Sequence, residues 1–370
     1  MPTVVVGMSG GVDSSVSALL LKEQGYHVIG MFMKNWEEVD ANGYCPSTDD
    51  YEDVVRVCEQ VDIPYYSVNF AKEYWDNVFE HFLADFRAGY TPNPDILCNR
   101  EIKFKVLLEK AFDLGADYLA TGHYCQSVLT PDGYKMFKGL DKGKDQSYFL
   151  YTLTDKILEK VLFPVGGLPK SEVRRLAKKY NLSTAEKKDS TGICFIGKRD
   201  FKDFLSGYLP GKPGNFEDLN GKVIGKHDGA AYYTIGQRKG LKIGGAGDAW
   251  FVVDKDIERN AVILAQGTQH PALYCDDLIA TELSWISGQT PPLPFRCTAK
   301  VRYRQPDQAC TIHSIVDGKA YVTFEVPQRA VTAGQAVVFY DGEICLGGGR
   351  IHSAGESYYA RGLSLPQSIE

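Results

Sequence analysis

Four short apolar runs, Val4–Gly7, His27–Met33, Tyr65–Phe70 and Tyr118–Thr121, are separated by helix-length stretches in the first third of the chain. Runs that stay apolar throughout, instead of alternating, predict strands covered on both faces, and the spacers predict parallel crossovers. The expected class is therefore an α/β parallel sheet, Rossmann-like. In such sheets ligands sit beyond the carboxyl ends of the strands, which gathers the segments after Gly7, Met33 and Thr121 along one edge. A helix is predicted from Lys170 to Tyr180, after Leu168-Pro169, leading into a loop over Ala185–Gly197. From about Lys202 the period changes to short β-like runs with Gly and Pro punctuation, such as Lys222–Gly225, Ala231–Thr234 and Trp250–Asp254. Beyond Cys275, runs at Arg296–Arg302, Ala309–Ile315, Ala320–Glu325 and Ala336–Phe339 recur at hairpin spacing and predict a closed antiparallel β-barrel. The boundaries drawn are 1–204 for the α/β domain with its basic helical segment, 205–272 for a small β-rich central domain, and 273–370 for the barrel.

Composition narrows the class without naming a chemistry. A chain of 370 residues with 44% hydrophobic and 24% charged residues has the make-up of an ordinary multidomain globular protein. Nine cysteines with no C-x-x-C pair argue against a disulfide framework or a zinc ribbon and for a reducing, cytoplasmic setting. The start, Met-Pro-Thr-Val-Val-Val-Gly, reads as a first strand and not a signal peptide, and no apolar stretch is long enough to span a membrane. Charge is uneven: residues 35–62 carry −8, whereas residues 160–200 carry +6 from ten basic and four acidic groups. That basic stripe is either a solvated helix face or a set of phosphate contacts.

Between the first apolar run and the stretch Ser14–Leu21 stands Ser9-Gly-Gly-Val-Asp-Ser14. A strand, a turn with two successive glycines and a helix start aim backbone N–H groups at one point, where an anion binds. Gly10 and Gly11 permit left-handed or close-approach backbone, Ser9 and Ser14 add hydroxyls, and Asp13 is read as an N-cap or a Mg²⁺ ligand. No lysine of the Gly-x-x-x-x-Gly-Lys-Ser kind is present in the loop. Met33 and Gly122, at the ends of two other strands, are the candidates for the adenine end. Two cysteines have activating surroundings: Cys98, in Thr91-Pro-Asn-Pro-Asp-Ile-Leu-Cys-Asn-Arg-Glu-Ile-Lys-Phe-Lys105, and Cys194, in Lys187-Lys-Asp-Ser-Thr-Gly-Ile-Cys-Phe-Ile-Gly197. A thiol at a helix start near Arg100, Lys103 and Lys105 gains thiolate character. The other seven read as small core residues.

The Ser9–Ser14 loop resembles the pyrophosphate loop of the N-type ATP pyrophosphatases, which split ATP into AMP and pyrophosphate. With two activated cysteines in the same chain, the resemblance extends over essentially the full length to the tRNA-specific 2-thiouridylases, the MnmA family. It rests on Gly7-Met-Ser-Gly-Gly-Val-Asp-Ser14, Asn93-Pro-Asp95 with Cys98-Asn-Arg100, Ala120-Thr-Gly-His-Tyr124, Asp145-Gln-Ser-Tyr148, Ser190-Thr-Gly-Ile-Cys-Phe-Ile-Gly197 and Tyr233-Thr-Ile-Gly-Gln-Arg-Lys-Gly240.

The resemblance implies a function and a set of residues. ATP, with Mg²⁺ expected beside it, is held by Gly7, Met8, Ser9, Gly10, Gly11, Val12, Asp13 and Ser14, with Met33 and Gly122. The C2 oxygen of a tRNA wobble uridine attacks the α-phosphate, Cys194 carries a persulfide whose outer sulfur displaces AMP, and Cys98 is the partner thiol, ending in a Cys98–Cys194 disulfide. Asp95 is the acid/base candidate. Asn93, Pro94 and Asp95 meet the target base, and His123, Asp145, Gln146, Ser147, Tyr303, Arg304 and Gln335 are the other implied tRNA contacts. The implied partners are tRNA and a persulfide-donating sulfur carrier or cysteine desulfurase, with a monomeric enzyme and no membrane. Three other readings stay open: an AMP-forming amide ligase with the same loop, for which no glutaminase-like motif is present, an iron–sulfur site on Asp95, Cys98 and Cys194, and a non-enzymatic tRNA-binding protein.

Overall fold

The computed structural model describes residues 1–37, 47–189 and 200–367. Its N-terminal sheet contains β1 (Thr3–Met8), β2 (His27–Lys34), β3 (Tyr65–Asn69) and β4 (Tyr118–Ala120), which follow the four apolar runs to within a residue or two. After them come a hairpin of β5 (Cys125–Thr130) and β6 (Gly133–Lys138) and a short β7 (Val161–Leu162). The sheet order is β3-β2-β1-β4-β7, all parallel. Val4, Val5 and Val6 are all fully buried, as a strand with helices on both faces requires. Helix α1 (Val12–Glu23) follows β1, and α2 (Ser47–Val61) returns the chain toward β3. The helix beginning at Lys170 runs to Lys179.

The central domain is a four-stranded sheet of β8 (Gly214–Asp218), β9 (Val223–His227), β10 (Trp250–Asp256) and β11 (Ala261–Gln266), in the order β10-β11-β8-β9. One expected strand is absent from it. Ala230–Tyr232 forms a short 3₁₀ turn, because Gly229 at φ 153° swings the chain and the Tyr232 hydroxyl donates to the Leu209 carbonyl at 2.5 Å. Tertiary packing there overrides the β preference of the two tyrosines.

The C-terminal domain is built from β12 (Tyr274–Trp285), β13 (Phe295–Lys300), β14 (Gln308–Val316), β15 (Lys319–Arg329), β16 (Ala336–Asp341) and β17 (Ile344–Ala354). These pair in the order β12-β15-β14-β13-β16-β17, and a further β12–β17 pairing closes the antiparallel barrel. The β5–β6 hairpin of the first domain hydrogen-bonds to β17, so the barrel sheet extends into the α/β domain. Lys138 at the end of β6 is buried against the Tyr340 ring, 4.3 Å from its centroid, and pairs with Asp307 of the barrel. That shared sheet fixes the barrel relative to the edge of the parallel sheet that carries the Ser9–Ser14 turn.

Candidate functional site

At the end of β1 the chain turns through Ser9–Gly11 into α1. Gly10 has φ +72°, and a Cβ there would lie 2.6 Å from the Asp50 carbonyl oxygen, so both its conformation and its space demand glycine. Gly11, with φ −94° and ψ 164°, is the N-cap of α1. Asp13 is therefore not the cap. Its carboxylate is held by the Lys170 ammonium at 2.6 and 2.7 Å and by the Tyr124 hydroxyl at 2.7 Å. Ser9 and Ser14 shape the loop: their hydroxyls are 3.2 Å apart, and Ser14 donates to the Gly11 carbonyl at 3.1 Å.

Other strand ends close around this loop. A Cβ on Gly122 would stand 2.8 Å from the Asp13 carbonyl carbon and the Ser14 nitrogen, so the turn after β4 lies directly on the start of α1. Met33 is half-buried near the end of β2. The segment 184–189 is fastened alongside. Thr184 donates to Ser15 Oγ at 3.0 Å, Lys187 pairs with Asp50 and Asp53 at 2.7 and 2.5 Å, and Asp189 accepts from Lys170, Arg174 and Lys144. Burial alone raises the Asp189 pKa, but hydrogen bonds from Lys144 and Lys170 and their charges hold it well below the usual carboxylate range. Lys170, which comes from a distant helix, is thus the lysine that holds Asp13 of the loop. No loop motif announced it.

These pairings change the meaning of the basic stripe. Lys170, Arg174, Arg175, Lys178 and Lys187 all have carboxylate partners within the chain, some of them on the acidic helix α2. Five of the stripe's eight described cations are thus paired with carboxylates inside the chain. Lys198 and Arg199, at its far end, lie outside the described residues.

The second cluster begins at Asn93, whose side chain accepts from the Asp95 N–H at 3.2 Å and caps a helix with Pro94 in its first position. The helix runs on as a wide π-type stretch over Cys98–Leu107, a form common at functional sites. Cys98 accordingly lies one turn inside the helix and is buried, not at its N-terminus as expected. Arg100 and Lys105 pair with Glu101 at 2.8 and 2.9 Å. The Lys103 charge instead acts on Asp95 and His123. Burial raises the Asp95 pKa, and the Lys103 charge opposes that shift. Burial also pushes the His123 pKa down, helped by Lys103, so His123 is a neutral imidazole with Nδ1 2.8 Å from Thr121 Oγ1. His123 directly follows Gly122, the residue that lies on the start of α1.

The remaining expected contacts divide by depth. Asp145 and Ser147 are buried: Asp145 accepts from the Gly139 and Ser147 N–H groups and from Ser147 Oγ at 3.0–3.1 Å. Gln146 Oε1 accepts from the Tyr124 N–H at 3.0 Å. In this structure the three order the junction of hairpin and barrel. At that junction Arg304 is exposed, and Tyr303 and Gln335 are half-buried. The Tyr303 ring lies 4.4 Å from Phe149, whose carbonyl accepts from Asn99 Nδ2, and Gln335 Nε2 donates to the Thr91 carbonyl at 2.6 Å. The structure thus joins Cys98–Asn99, Phe149, Tyr303, Gln335 and Thr91–Asp95 into one neighbourhood. Cys194 lies outside the described residues, as does Cys45. Cys58, Cys125, Cys275, Cys310 and Cys345 are buried core residues, and Cys297 is half-buried.

Among the described residues no cluster of three or more His, Cys, Asp or Glu side chains has the arrangement of a metal site. No helix among them is long and apolar enough to cross a membrane.

Comparison with known proteins matches the chain to three family profiles: a tRNA methyl transferase HUP domain over residues 2–198, a tRNA methyl transferase PRC-barrel domain over 202–266 and an aminomethyltransferase β-barrel domain over 275–351. It is 66% identical over 365 residues to a tRNA-specific 2-thiouridylase MnmA of Protochlamydia amoebophila, covering 98% of this chain and 97% of that one. It is 62% identical to a protein of Geobacillus kaustophilus named tRNA-specific 2-thiouridylase MnmA 2, covering 94% of each chain. A Listeria monocytogenes protein with the name tRNA-specific 2-thiouridylase MnmA is 60% identical, again over 94% of each. With identity this high along both chains from end to end, and all three domains matched in order, the chain belongs to the tRNA-specific 2-thiouridylase (MnmA) family.

Proposed function

We propose that the protein is an ATP-dependent tRNA-uridine 2-sulfurtransferase. The observation that carries the reading is the closure of the Gly122 turn onto the Ser9–Ser14 loop, with the buried Cys98 following Asp95 by about one helical turn. A phosphate-gripping loop next to a carboxyl group and a thiol suits a reaction that first turns an oxygen into a leaving group and then replaces it.

Gly7–Ser14, Met33 and Gly122 hold ATP in this reading, and Asp13, whose carboxylate is already held by Lys170 and Tyr124, would serve a Mg²⁺ ion only by giving up its lysine partner. Magnesium would offset the charge of the departing pyrophosphate. The anticodon-loop uridine has to be splayed out of its stack to reach the site. Asn93, Pro94 and Asp95 receive it, and Asp95 manages the proton balance at the base. The C2 oxygen attacks the α-phosphate, pyrophosphate leaves, and the outer sulfur of a Cys194 persulfide attacks C2 as AMP departs. Cys98 then attacks Cys194 Sγ, the S–S bond breaks toward the new C2 sulfur, and a Cys98–Cys194 disulfide remains for an external thiol to reduce. The role of Cys194 rests on the family resemblance, as do the sulfur-donating partner, the monomeric state and the cytoplasmic setting. Tyr303, Arg304 and Gln335 contact tRNA, whereas Asp145, Gln146, Ser147 and His123 support those contacts from beneath.

The test is Cys194→Ser supplied with tRNA, ATP and a sulfide source, with pyrophosphate and 2-thiouridine followed separately. Pyrophosphate release without thiolation is the expected result. Unimpaired thiolation by the variant would overturn the role of Cys194.

A further inference from the structure

Two cysteines of the barrel face each other. Strands β13 and β14 pair antiparallel with Cys297 directly opposite Cys310, and the two Sγ atoms are 3.6 Å apart. Both are free thiols. Residues directly opposed in an antiparallel ladder have Cα atoms about 4.5 or 5.5 Å apart, according to the type of pair, and both spacings lie within the range of about 4.4–6.8 Å that a disulfide spans. The backbone thus already meets the requirement, and side-chain rotation has only to bring the sulfurs into bonding distance. Strand alternation turns both side chains toward the barrel interior, on the side of Ala299 and Ile312.

Burial sets the order of reaction. Cys310 is 1% exposed, whereas Cys297 is half-buried, so Cys297 is the thiol that an oxidant meets first. The hydrogen bond to Cys297 and then burial push the Cys310 pKa up, and the charges of Cys297 and Glu325 add to the shift. Cys310 therefore stays a neutral thiol while Cys297 is free. The oxidant is a low-molecular-weight disulfide. The Cys297 thiolate, its proton lost to solvent, attacks one sulfur of that disulfide, and the other sulfur leaves as a thiolate. The mixed disulfide leaves no ionisable thiol at Cys297, which removes the largest cause of the Cys310 shift. Cys310 then gives up its proton and attacks Cys297 Sγ, the mixed S–S bond breaks, and a second small thiol is released. Two protein thiols are oxidised and one disulfide is reduced to two thiols.

We propose that Cys297 and Cys310 form a reversible disulfide, a redox site of the barrel separate from Cys98 and Cys194, which when oxidised staples β13 to β14 at the base of the loop that bears Tyr303 and Arg304. The two cysteines are 13 positions apart, and that loop lies between them. Asp307, at the end of the loop, is already paired with Lys138 and Lys300, so the bond adds a second, covalent restraint. In a reducing setting such a cross-link is transient and follows the thiol–disulfide balance around it. The inference stands independently of the substrate.

The experiment equilibrates the full-length wild-type protein with glutathione mixtures from fully reduced to mostly oxidised, blocks the remaining thiols with an alkylating agent under denaturing conditions, and maps tryptic peptides by mass spectrometry. Cleavage after Arg296, Lys300, Arg304 and Lys319 puts Cys297 and Cys310 on separate peptides. In the oxidised mixtures these two should be recovered joined, two hydrogens lighter than their sum, in most of the protein. In the reduced mixtures they should be separate and alkylated. The same link should form in the double variant Cys98→Ser, Cys194→Ser, because it does not pass through those thiols. Amide hydrogen exchange across residues 301–307 should slow by roughly 3- to 10-fold on oxidation of wild type and not on treatment of Cys297→Ser. Separate Cys297 and Cys310 peptides in the oxidised mixtures, or Cys297 held as its mixed disulfide with glutathione, would overturn the proposal without reference to any variant. Loss of the link in the double variant would show that the site is not separate, and unchanged exchange in the linked protein would show that it is not a staple.

Discussion

Replacing Lys170 with methionine removes the cation that joins the Ser9–Ser14 loop to the segment 184–189 while keeping most of the side-chain volume. The ammonium is 13% exposed and lies 2.6 Å from Asp13 and 2.9 Å from Asp189. Breaking a buried ion pair by removing one partner costs about 3–5 kcal/mol. Here the cost is smaller, because the two carboxylates are 31% and 34% exposed and Asp189 keeps Lys144 and Arg174. Asp13 keeps only the Tyr124 hydroxyl among its described partners. A loss of about 2 kcal/mol is the expected balance between the buried and exposed limits. At the usual scaling for a domain of this size, that loss lowers the melting temperature of the N-terminal domain by about 4–8 °C. Differential scanning fluorimetry without nucleotide reads it directly. The double variant Asp13→Asn, Lys170→Met should be less destabilised than the sum of the single changes, with a coupling of about 1–2 kcal/mol. If Lys170→Met melts with wild type, or the two changes are additive, the ion pair does not hold the loop and the reasoning is wrong.

Gly122→Ala places a methyl group 2.8 Å from backbone atoms of Asp13 and Ser14, which cannot move aside as a flexible side chain can. The strain, about 1–3 kcal/mol for overpacking, should appear as weaker ATP binding in a calorimetric titration; unchanged affinity would mean that the turn does not close on the nucleotide. Asp95→Asn should abolish thiolation and yet stabilise the fold at neutral pH. The Asp95 pKa is raised by burial, so the native state binds its proton more tightly than the unfolded chain does. The cost of the ionised form is thus fully present above the folded pKa and vanishes below the ordinary value of about 3.9. The stability gain of the variant should shrink as pH falls toward that value, and a gain independent of pH would refute burial as the cause. His123→Gln should remove an acid sensitivity of the opposite sign. The depressed pKa of the buried neutral imidazole supplies stability above its ordinary value of about 6.5, and that stability is lost as pH falls through the folded value. Urea unfolding below pH 6.5 should therefore separate wild type from the variant, and coincident curves would count against the neutral imidazole.

Local sequence was enough to find the strands of the parallel sheet and the glycine turn between β1 and α1. Val4–Val6 and the paired glycines act through their immediate neighbours, so their signal is local. The β5–β6 hairpin went unread because its partner is β17, two hundred residues away, and nothing in Cys125–Lys138 shows that it will extend a barrel. The basic stripe was legible as charge but not as pairing, since partners such as Asp50 and Asp53 come from the separate acidic stretch. The activation proposed for Cys98 assumed a helix start that Asn93 and Pro94 place one turn earlier. Lys170 escaped for the complementary reason. It serves a loop more than a hundred and fifty residues upstream, and only folding brings it to Asp13.

The family profiles carry methyl transfer in their descriptions, while the relatives carry thiolation in their names. The two chemistries leave different products. The decisive measurement supplies wild-type protein with ATP, a sulfide source and tRNA whose wobble uridine bears heavy oxygen at C2, then analyses the nucleosides and the AMP by mass spectrometry. The account predicts one 2-thiouridine per AMP, with the heavy oxygen transferred to the AMP phosphate. A methylated uridine, or 2-thiouridine formed while AMP stays unlabelled, would contradict it.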